Sequence, residues 1–326
     1  MHVLWSLEQV SLGQRLRDVT LRIHGGVTAV LGPSGAGKTS LLNLLVGFER
    51  PDAGRLALHL PNDAHRRSPS CAGTNEVPVD GGPVYTRPIF WAPQGDGLWP
   101  HLTAREHLVY MQGADPDLLL AEFDLTSRAQ ARPETLSQGE RARLAVARAL
   151  AAEAAVLVMD EPLAHVDPMR VGKYWDLLGR RLERTGTALI FATHAPGTVL
   201  AQAQQVICLR EARVVYAGAV QALYDQPASA ELAECLGEFN WLEPDDARRW
   251  LQREEAVARC YRPERLAVVA AATGGLIVES ARFQGAVAEV VLRHEASGEV
   301  RRFWHRPAGG DWVCGMRVKL ALIEGA

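Results

Sequence analysis

The sequence predicts an α/β domain followed by a smaller, mainly antiparallel β-domain. Three observations carry this reading. Up to about residue 235, short unbroken apolar runs alternate with stretches of helical periodicity. That is the pattern of strands buried on both faces of a largely parallel sheet. From about residue 237, short alternating stretches are broken by turn residues, which reads as hairpins. The length, 326 residues, suits two domains.

The elements follow in order. "VTAVLG" (27–32) is an apolar run closed by glycine, a buried strand. "SLLNLLVGF" (40–48) places Leu41, Leu44, Leu45 and Phe48 at helical spacing. Residues 60–88 are rich in Pro, Gly, Asn and Asp and lack periodicity, so an exposed, mobile loop is expected. "LSQGE" (136–140) opens another helix, with Ser137 and Glu140 at capping-box spacing. Gly139 weakens that first turn by roughly 0.5–1 kcal/mol relative to Ala. A glycine is useful there if something large must approach the backbone, and a helix N-terminus is an anion site. "AAVLVMD" (154–160) and "TALIFATH" (187–194) are two more buried strands, and "QQVICLREARVVYAG" (204–218) reads as a hairpin. "NWLEPDDARRWLQREEA" (240–256) has acidic residues before basic ones and reads as one amphipathic helix. The strand-like runs "VARCY", "LAVVA", "GLIVESARF", "GAVAEVVLRHEASGEVRRFW" and "RVKLALIE" follow, with turns at 297–298 and 309–311.

Composition narrows the function. Hydrophobic residues make up 48% and charged residues 22%, ordinary for a globular protein. A net charge of −3 gives no basic field, so no nucleic-acid partner is expected. The cysteines Cys71, Cys208, Cys235, Cys260 and Cys314 are scattered, which fits reduced thiols better than a disulfide framework or a zinc site. Charges and Gln interrupt the first eighteen residues, so no leader is expected there. No run reaches ~18 uninterrupted apolar residues, so any membrane spanning falls to another polypeptide.

"GPSGAGKTS" (32–40) fits G-x-x-x-x-G-K-[ST] between a strand and a helix. Gly32, Pro33, Ser34, Gly35, Ala36, Gly37, Lys38, Thr39 and Ser40 form a loop whose backbone N–H groups wrap phosphate oxygens. Lys38 reaches the β- and γ-phosphates, and the Thr39 hydroxyl sits on Mg²⁺. "VLVMDEP" (156–162) is an apolar strand ending in two carboxylates. Asp160 is placed to hold Mg²⁺, and Glu161 to face an attacking water. His194, just past another strand, is a candidate donor to the γ-phosphate, and Gln94 follows a short apolar run.

The order of phosphate loop, Gln94, "LSQGE", "VLVMDEP", Asp167 in "LAHVD" and His194 covers about 200 residues. It resembles the ATP-binding subunit of an ABC transporter. The resemblance implies ATP and Mg²⁺ as cofactors, with Gln94 contacting Mg²⁺ and the water and coupling to the membrane subunit. "LSQGE" would be the signature, with Gln138 and Glu140 departing from Leu-Ser-Gly-Gly-Gln and the phosphate-contacting Ser137 and Gly139 retained. In that family the signature of one subunit caps the γ-phosphate held by the other. One loop and one signature therefore imply a homodimer or a closely similar partner chain.

"FERPDAGRL", "LWPHLTAREHL" and residues 212–240 narrow the likeness to importer ATPases for molybdate, sulfate, iron, polyamines and sugars. In those a Tyr-x-x-Pro stretch leads through "GE-x-N" into a small β-barrel-like regulatory domain of the OB or TOBE kind. "YRPERLAVV" (261–269) matches its Arg-Pro-Glu box, and the phosphate-loop region looks most like molybdate-type subunits. The implied organisation is an ATP-binding domain over 1–236, with a short helical subdomain at about 100–150, and a β-rich regulatory domain over 237–326. The implied function is ATP hydrolysis powering solute import through a separate permease, at the cytoplasmic face of the membrane, with an extracytoplasmic solute-binding protein acting indirectly.

Three departures qualify it. Leu12 stands where the family has an aromatic residue that stacks on adenine, with Trp5 nearby. Thr103 to Leu136 is shorter than the usual helical subdomain. The C-terminal domain is short for binding a regulatory ligand unaided. The alternatives differ in recognisable ways. An exporter ATPase would usually lack the β-domain. A soluble ABC-type ATPase of DNA repair or translation would normally show a long coiled coil or two cassettes. A degenerate binding module is opposed by intact Lys38, Asp160, Glu161 and His194.

Overall fold

The computed structural model describes residues 2–59, 77–78, 89–307 and 312–323. The loop expected at 60–88 lies outside the described residues apart from Val77–Pro78, as do the turn at 309–311 and Cys71. The chain divides into two compact units, Met1–Val220 and Gln221–Ala326.

The first unit begins with β1 (Val3–Leu12), β2 (Leu16–His24), β3 (Val27–Leu31), α1 (Lys38–Val46), β4 (Ala53–Leu58), β5 (Val77–Pro78) and β6 (Ile89–Ala92). Then come α2 (Ala104–Val109), α3 (Pro116–Glu122), α4 (Gln138–Ala151), β7 (Val156–Asp160), α5 (Pro168–Thr185), β8 (Ala188–Thr193), α6 (Pro196–Gln202), β9 (Gln205–Arg210) and β10 (Arg213–Ala219). β10-β9-β3-β8-β7-β6 form a sheet, parallel except for the β9–β10 hairpin. Every residue of β7 and β8 is buried, as expected for strands covered on both faces. A second, antiparallel sheet has the order β2-β1-β4-β5. Leucines 41, 42, 44 and 45 of α1 pack into the core these sheets share. No helix among the described residues is long and apolar enough to cross a membrane.

Phe48 departs from the expected helix. Gly47 ends α1 in the left-handed conformation (φ 77°), so the chain turns away and leaves Phe48 62% exposed, edge-on to Trp91. Trp5 is fully buried and donates its indole N–H to Leu45 O at 3.2 Å. Between β6 and α4 the chain forms only the short helices α2 and α3 and two 3₁₀ turns. Arg143 of α4, itself buried, donates to Phe123 O (2.7 Å), Asp124 O (3.1 Å) and Tyr174 Oη (3.1 Å) and ties these pieces together.

The second unit holds most of α7 (Val220–Asp225), then α8 (Ala230–Glu234), β11 (Asn240–Leu242), α9 (Pro244–Leu251) and β12 (Arg259–Tyr261). β13 (Leu266–Ala270), β14 (Leu276–Phe283), β15 (Ala288–His294), β16 (Val300–His305) and β17 (Arg317–Leu322) complete it. The last five form an antiparallel sheet in the order β13-β17-β14-β15-β16, while β11 pairs with β12. Trp250, Tyr261, Val278, Leu292 and Phe303 belong to its separate apolar core. The helix expected over 240–256 is shorter than that. Residues 240–242 are a strand, Pro244 starts α9, and Gln252 (φ 53°) ends it.

Arg262 accounts for where the division falls. Its buried guanidinium donates to the carbonyls of Tyr224 (3.1 Å), Ala233 (3.1 Å), Gly237 (3.3 Å) and Glu238 (3.3 Å), and lies 4.3 Å over the Tyr224 ring. Residues 221–238 are thereby bound to the β-unit, and the boundary expected at 236 falls inside it.

Candidate nucleotide-binding site

The loop from Gly32 to Gly37 joins β3 to α1, and its glycines have different reasons. A Cβ on Gly32 would stand 2.4 Å from Leu209 O, and one on Gly37 2.4 Å from Arg15 O. No L side chain fits either place without moving backbone. Gly35 has open space but a φ of 79°, while Gly37 combines its crowding with φ 103°. Pro33 O accepts from Ala36 N at 3.2 Å; Ala36 and Ser40 are buried, and Pro33, Ser34 and Thr39 are exposed. Lys38 Nζ donates to Gly32 O (2.8 Å) and Pro33 O (3.1 Å), so its ammonium lies over the loop's own backbone.

The carboxylates of β7 meet this loop. Thr39 Oγ1 donates to Asp160 Oδ2 at 2.6 Å. Burial raises the Asp160 pKa above the ordinary carboxylate range, and the Glu161 charge adds to this, against the Thr39 hydrogen bond. Glu161 is held at φ 51°, a conformation that costs a non-glycine residue about 1 kcal/mol or more. Its amide donates to Ala192 O (3.0 Å), and its Oε1 lies 2.6 Å from His194 Nδ1. Thr193 Oγ1 donates to the other oxygen at 3.4 Å. The strand ends of β7 and β8 therefore bring Asp160, Glu161 and His194 together beside Thr39. A cavity of about 230 Å³ opens against Gln94, Gln138, Arg141, Asp160, Glu161 and His165, among others.

Ser137 and Gly139 are placed differently. Ser137 caps α4: Glu140 N donates to its hydroxyl (3.2 Å), and Ser137 N donates back to Glu140 Oε2 (2.8 Å). Arg128 donates to the other Glu140 oxygen at 3.0 Å. Burial pushes the Glu140 carboxyl up, but the Ser137 groups and Arg128 outweigh it and hold it below its ordinary range. A Cβ on Gly139 would stand 3.0 Å from His165 O. This glycine thus has a reason within its own chain, besides any approach of a phosphate.

The sequence reading missed Arg148 and His107. Arg148, 3% exposed, donates to Gly97 O (2.8 Å) and Asp96 O (3.1 Å) and lies over the rings of Trp99 and Phe90. It fixes the segment that follows Gln94. Its burial lowers its pKa. The signal was an arginine on the apolar face of α4. His107 is fully buried, with Nδ1 2.7 Å from Thr103 O and Nε2 accepting from Trp99 N at 2.8 Å. Desolvation lowers its pKa, and because Nε2 accepts from a backbone N–H, the ring proton is assigned to Nδ1, toward Thr103 O.

A parallel sheet, a glycine loop entering a helix, and strand-end carboxylates beside that loop define a P-loop nucleotide-binding protein. Residues 16–164 match the family model described as ABC transporter, and the first unit is an ABC transporter ATPase domain. The chain is 34% identical over 233 residues to the Fe(3+) ions import ATP-binding protein FbpC of Pseudomonas fluorescens, spanning 68% of this chain and 62% of that one. It is 29% identical over 332 residues to the spermidine/putrescine import ATP-binding protein PotA 1 of Pseudomonas aeruginosa, spanning 87% and 84%. It is 31% identical to the molybdenum import ATP-binding protein ModC of Rhizobium meliloti, spanning 67% and 61%. The match thus reaches less than two thirds of the length of the iron and molybdenum relatives. Among solved structures, an ATP-binding subunit of an ABC transporter superposes with a TM-score of 0.57 at 22% identity, over 68% of this chain and 92% of that one. A dimeric bacterial ABC transporter cassette gives 0.54 at 23%, over 66% and 98%. These two likenesses concern the fold alone.

Proposed function

We propose that this chain hydrolyses ATP to drive import of a solute through a separate permease, as a peripheral subunit on the cytoplasmic face of the membrane. The observation that carries the reading is the pairing of Thr39 with Asp160 and of Glu161 with His194 beside one glycine loop. The names of the similar iron, polyamine and molybdenum import proteins support the direction of transport. They cover three solute classes, and no single solute follows from them. The solute-binding protein acts through the permease, and the β-unit serves regulation.

The loop's N–H groups and Lys38 bind the phosphates. Thr39 Oγ1 and Asp160 supply hard oxygen donors that fit Mg²⁺, with Gln94 as a third candidate. When bound, Mg²⁺ neutralises charge on the phosphate oxygens. Glu161 orients the attacking water for in-line displacement, and His194 holds the Glu161 carboxylate and donates to the γ-phosphate. Ser137, exposed at the N-terminus of α4, and Gly139 beside it complete the site of a second copy, since a helix start is an anion site.

The test is Glu161→Gln. ATP binding should persist while hydrolysis falls by a factor of roughly a thousand or more. The variant should elute as an ATP-dependent dimer on size exclusion. Adding Ser137→Arg should abolish that dimer and spare ATP binding by the monomer. Thermal stability should drop by the few degrees that a lost cap of about 1 kcal/mol costs. Loss of monomer ATP binding in Ser137→Arg would refute the trans arrangement.

A further inference from the structure

Two borders of the phosphate loop carry side-chain chemistry. One is the end of β7, where Asp160 meets Thr39. The other is the turn Leu12–Arg15 between β1 and β2, whose Arg15 carbonyl leaves no room for a Cβ on Gly37. The reacting end of a nucleotide belongs with the carboxylates, and the turn is then left for its base. The aromatic platform looked for in the sequence is absent at both positions considered. Leu12 is 5% exposed and aliphatic; Trp5 is fully buried, with its N–H committed to Leu45 O.

The turn presents a planar cation instead. Arg15 Nη1 donates to Glu49 Oε1 at 2.9 Å, and Nη2 donates to Glu49 Oε2. This two-point clamp fixes the plane of the guanidinium. Asn43 Nδ2 of α1 donates to Glu49 at 3.2 Å and holds the clamp from behind. The turn is pinned independently: Arg15 N donates to Leu12 O (3.0 Å), and Gly13 N to Asp52 Oδ2 (2.6 Å). The Arg15 side chain nevertheless stays 54% exposed. A guanidinium held in plane and half exposed has area on which a base can stack.

We propose that Arg15 is the platform on which the nucleobase stacks, with Glu49 as the positioning residue that keeps it flat. The inference rests on reading the loop as a nucleoside triphosphate site. Arg15 offers a face and not a hydrogen-bonding edge, so adenine and guanine are held alike.

The experiment is calorimetric titration of the full chain with three magnesium-loaded probes: the β,γ-imido analogues of ATP and GTP, and inorganic tripolyphosphate, which has no base. The wild type should bind both analogues within about fivefold of each other, since stacking is tolerant of base identity. Arg15→Ala should weaken both by roughly five- to fiftyfold and change tripolyphosphate by less than about twofold. Arg15→Lys, which keeps charge and loses the plane, should not restore binding, whereas Arg15→Trp should. Glu49→Gln should fall between wild type and Arg15→Ala. Full affinity in Arg15→Ala or Arg15→Lys would overturn the proposal, as would an equal loss for tripolyphosphate, since Arg15 would then act as a charge on the phosphates. A wild type that binds none of the three probes would instead overturn the reading of the loop itself.

Discussion

Asp124 shows how much one carboxylate can hold. It accepts from Arg170 (2.7 Å), Lys173 (2.7 and 2.8 Å) and the Tyr174 hydroxyl (2.8 Å), joining the end of α3 to α5. Lys173 above all, with Tyr174 and Arg170 and against the cost of burial, pushes its pKa down to about 2. A carboxyl depressed in the folded state stabilises the fold above its unfolded value of 3.8, and that stability is lost as pH falls toward 2. Asp124→Asn should therefore cost about 1 kcal/mol at pH 7, after discounting for the partial exposure of the group. The cost should shrink as pH falls below 3.8 and be mostly gone by about pH 2. Urea midpoints measured at pH 7, 4 and 2 will show whether the two curves converge as the acid limb is descended.

At the scale of elements, the phosphate loop separates two kinds of strain. Gly35→Ala meets open space and only an unfavourable φ, a cost of about 1–2 kcal/mol. Gly37→Ala meets the same backbone penalty and the Arg15 carbonyl at 2.4 Å. It should weaken nucleotide binding at least about tenfold more than Gly35→Ala and lower the melting temperature further, checked by titration and thermal melts. Such local grammar is what the sequence makes readable. Strand, glycine loop and helix follow one another directly, and the Ser137–Glu140 cap closes within four residues. What depends on distant neighbours was hidden. Nothing near Gly139 announces the His165 carbonyl, and nothing near Leu12 announces Glu49. The helix expected over 240–256 is overlong because acidic-before-basic order marks neither Pro244, where the helix begins, nor Gln252, where it ends.

At the scale of the molecule, among the described residues the buried members of one apolar cluster run from Leu4 to Leu209 and those of another from Leu242 to Leu320. All residues of the candidate site lie before Val220. A chain ending at Val220 should therefore fold and bind the ATP analogue within about threefold of the full chain, as expected of an independent domain. Ending it near 238 instead would keep residues 221–238 without Arg262, leaving the carbonyls of Tyr224, Ala233, Gly237 and Glu238 without that donor. That longer fragment should be the less soluble of the two, and comparing both by titration and light scattering will decide.

The contact of Gly139 with His165 has a mechanical meaning. One is the second residue of α4, the other lies four residues beyond Glu161, and a methyl group between them would need the His165 carbonyl to give by a few tenths of an ångström. Joints packed that tightly carry displacement without slack. A displacement at the start of α4 is therefore passed with little play to the segment that follows Glu161.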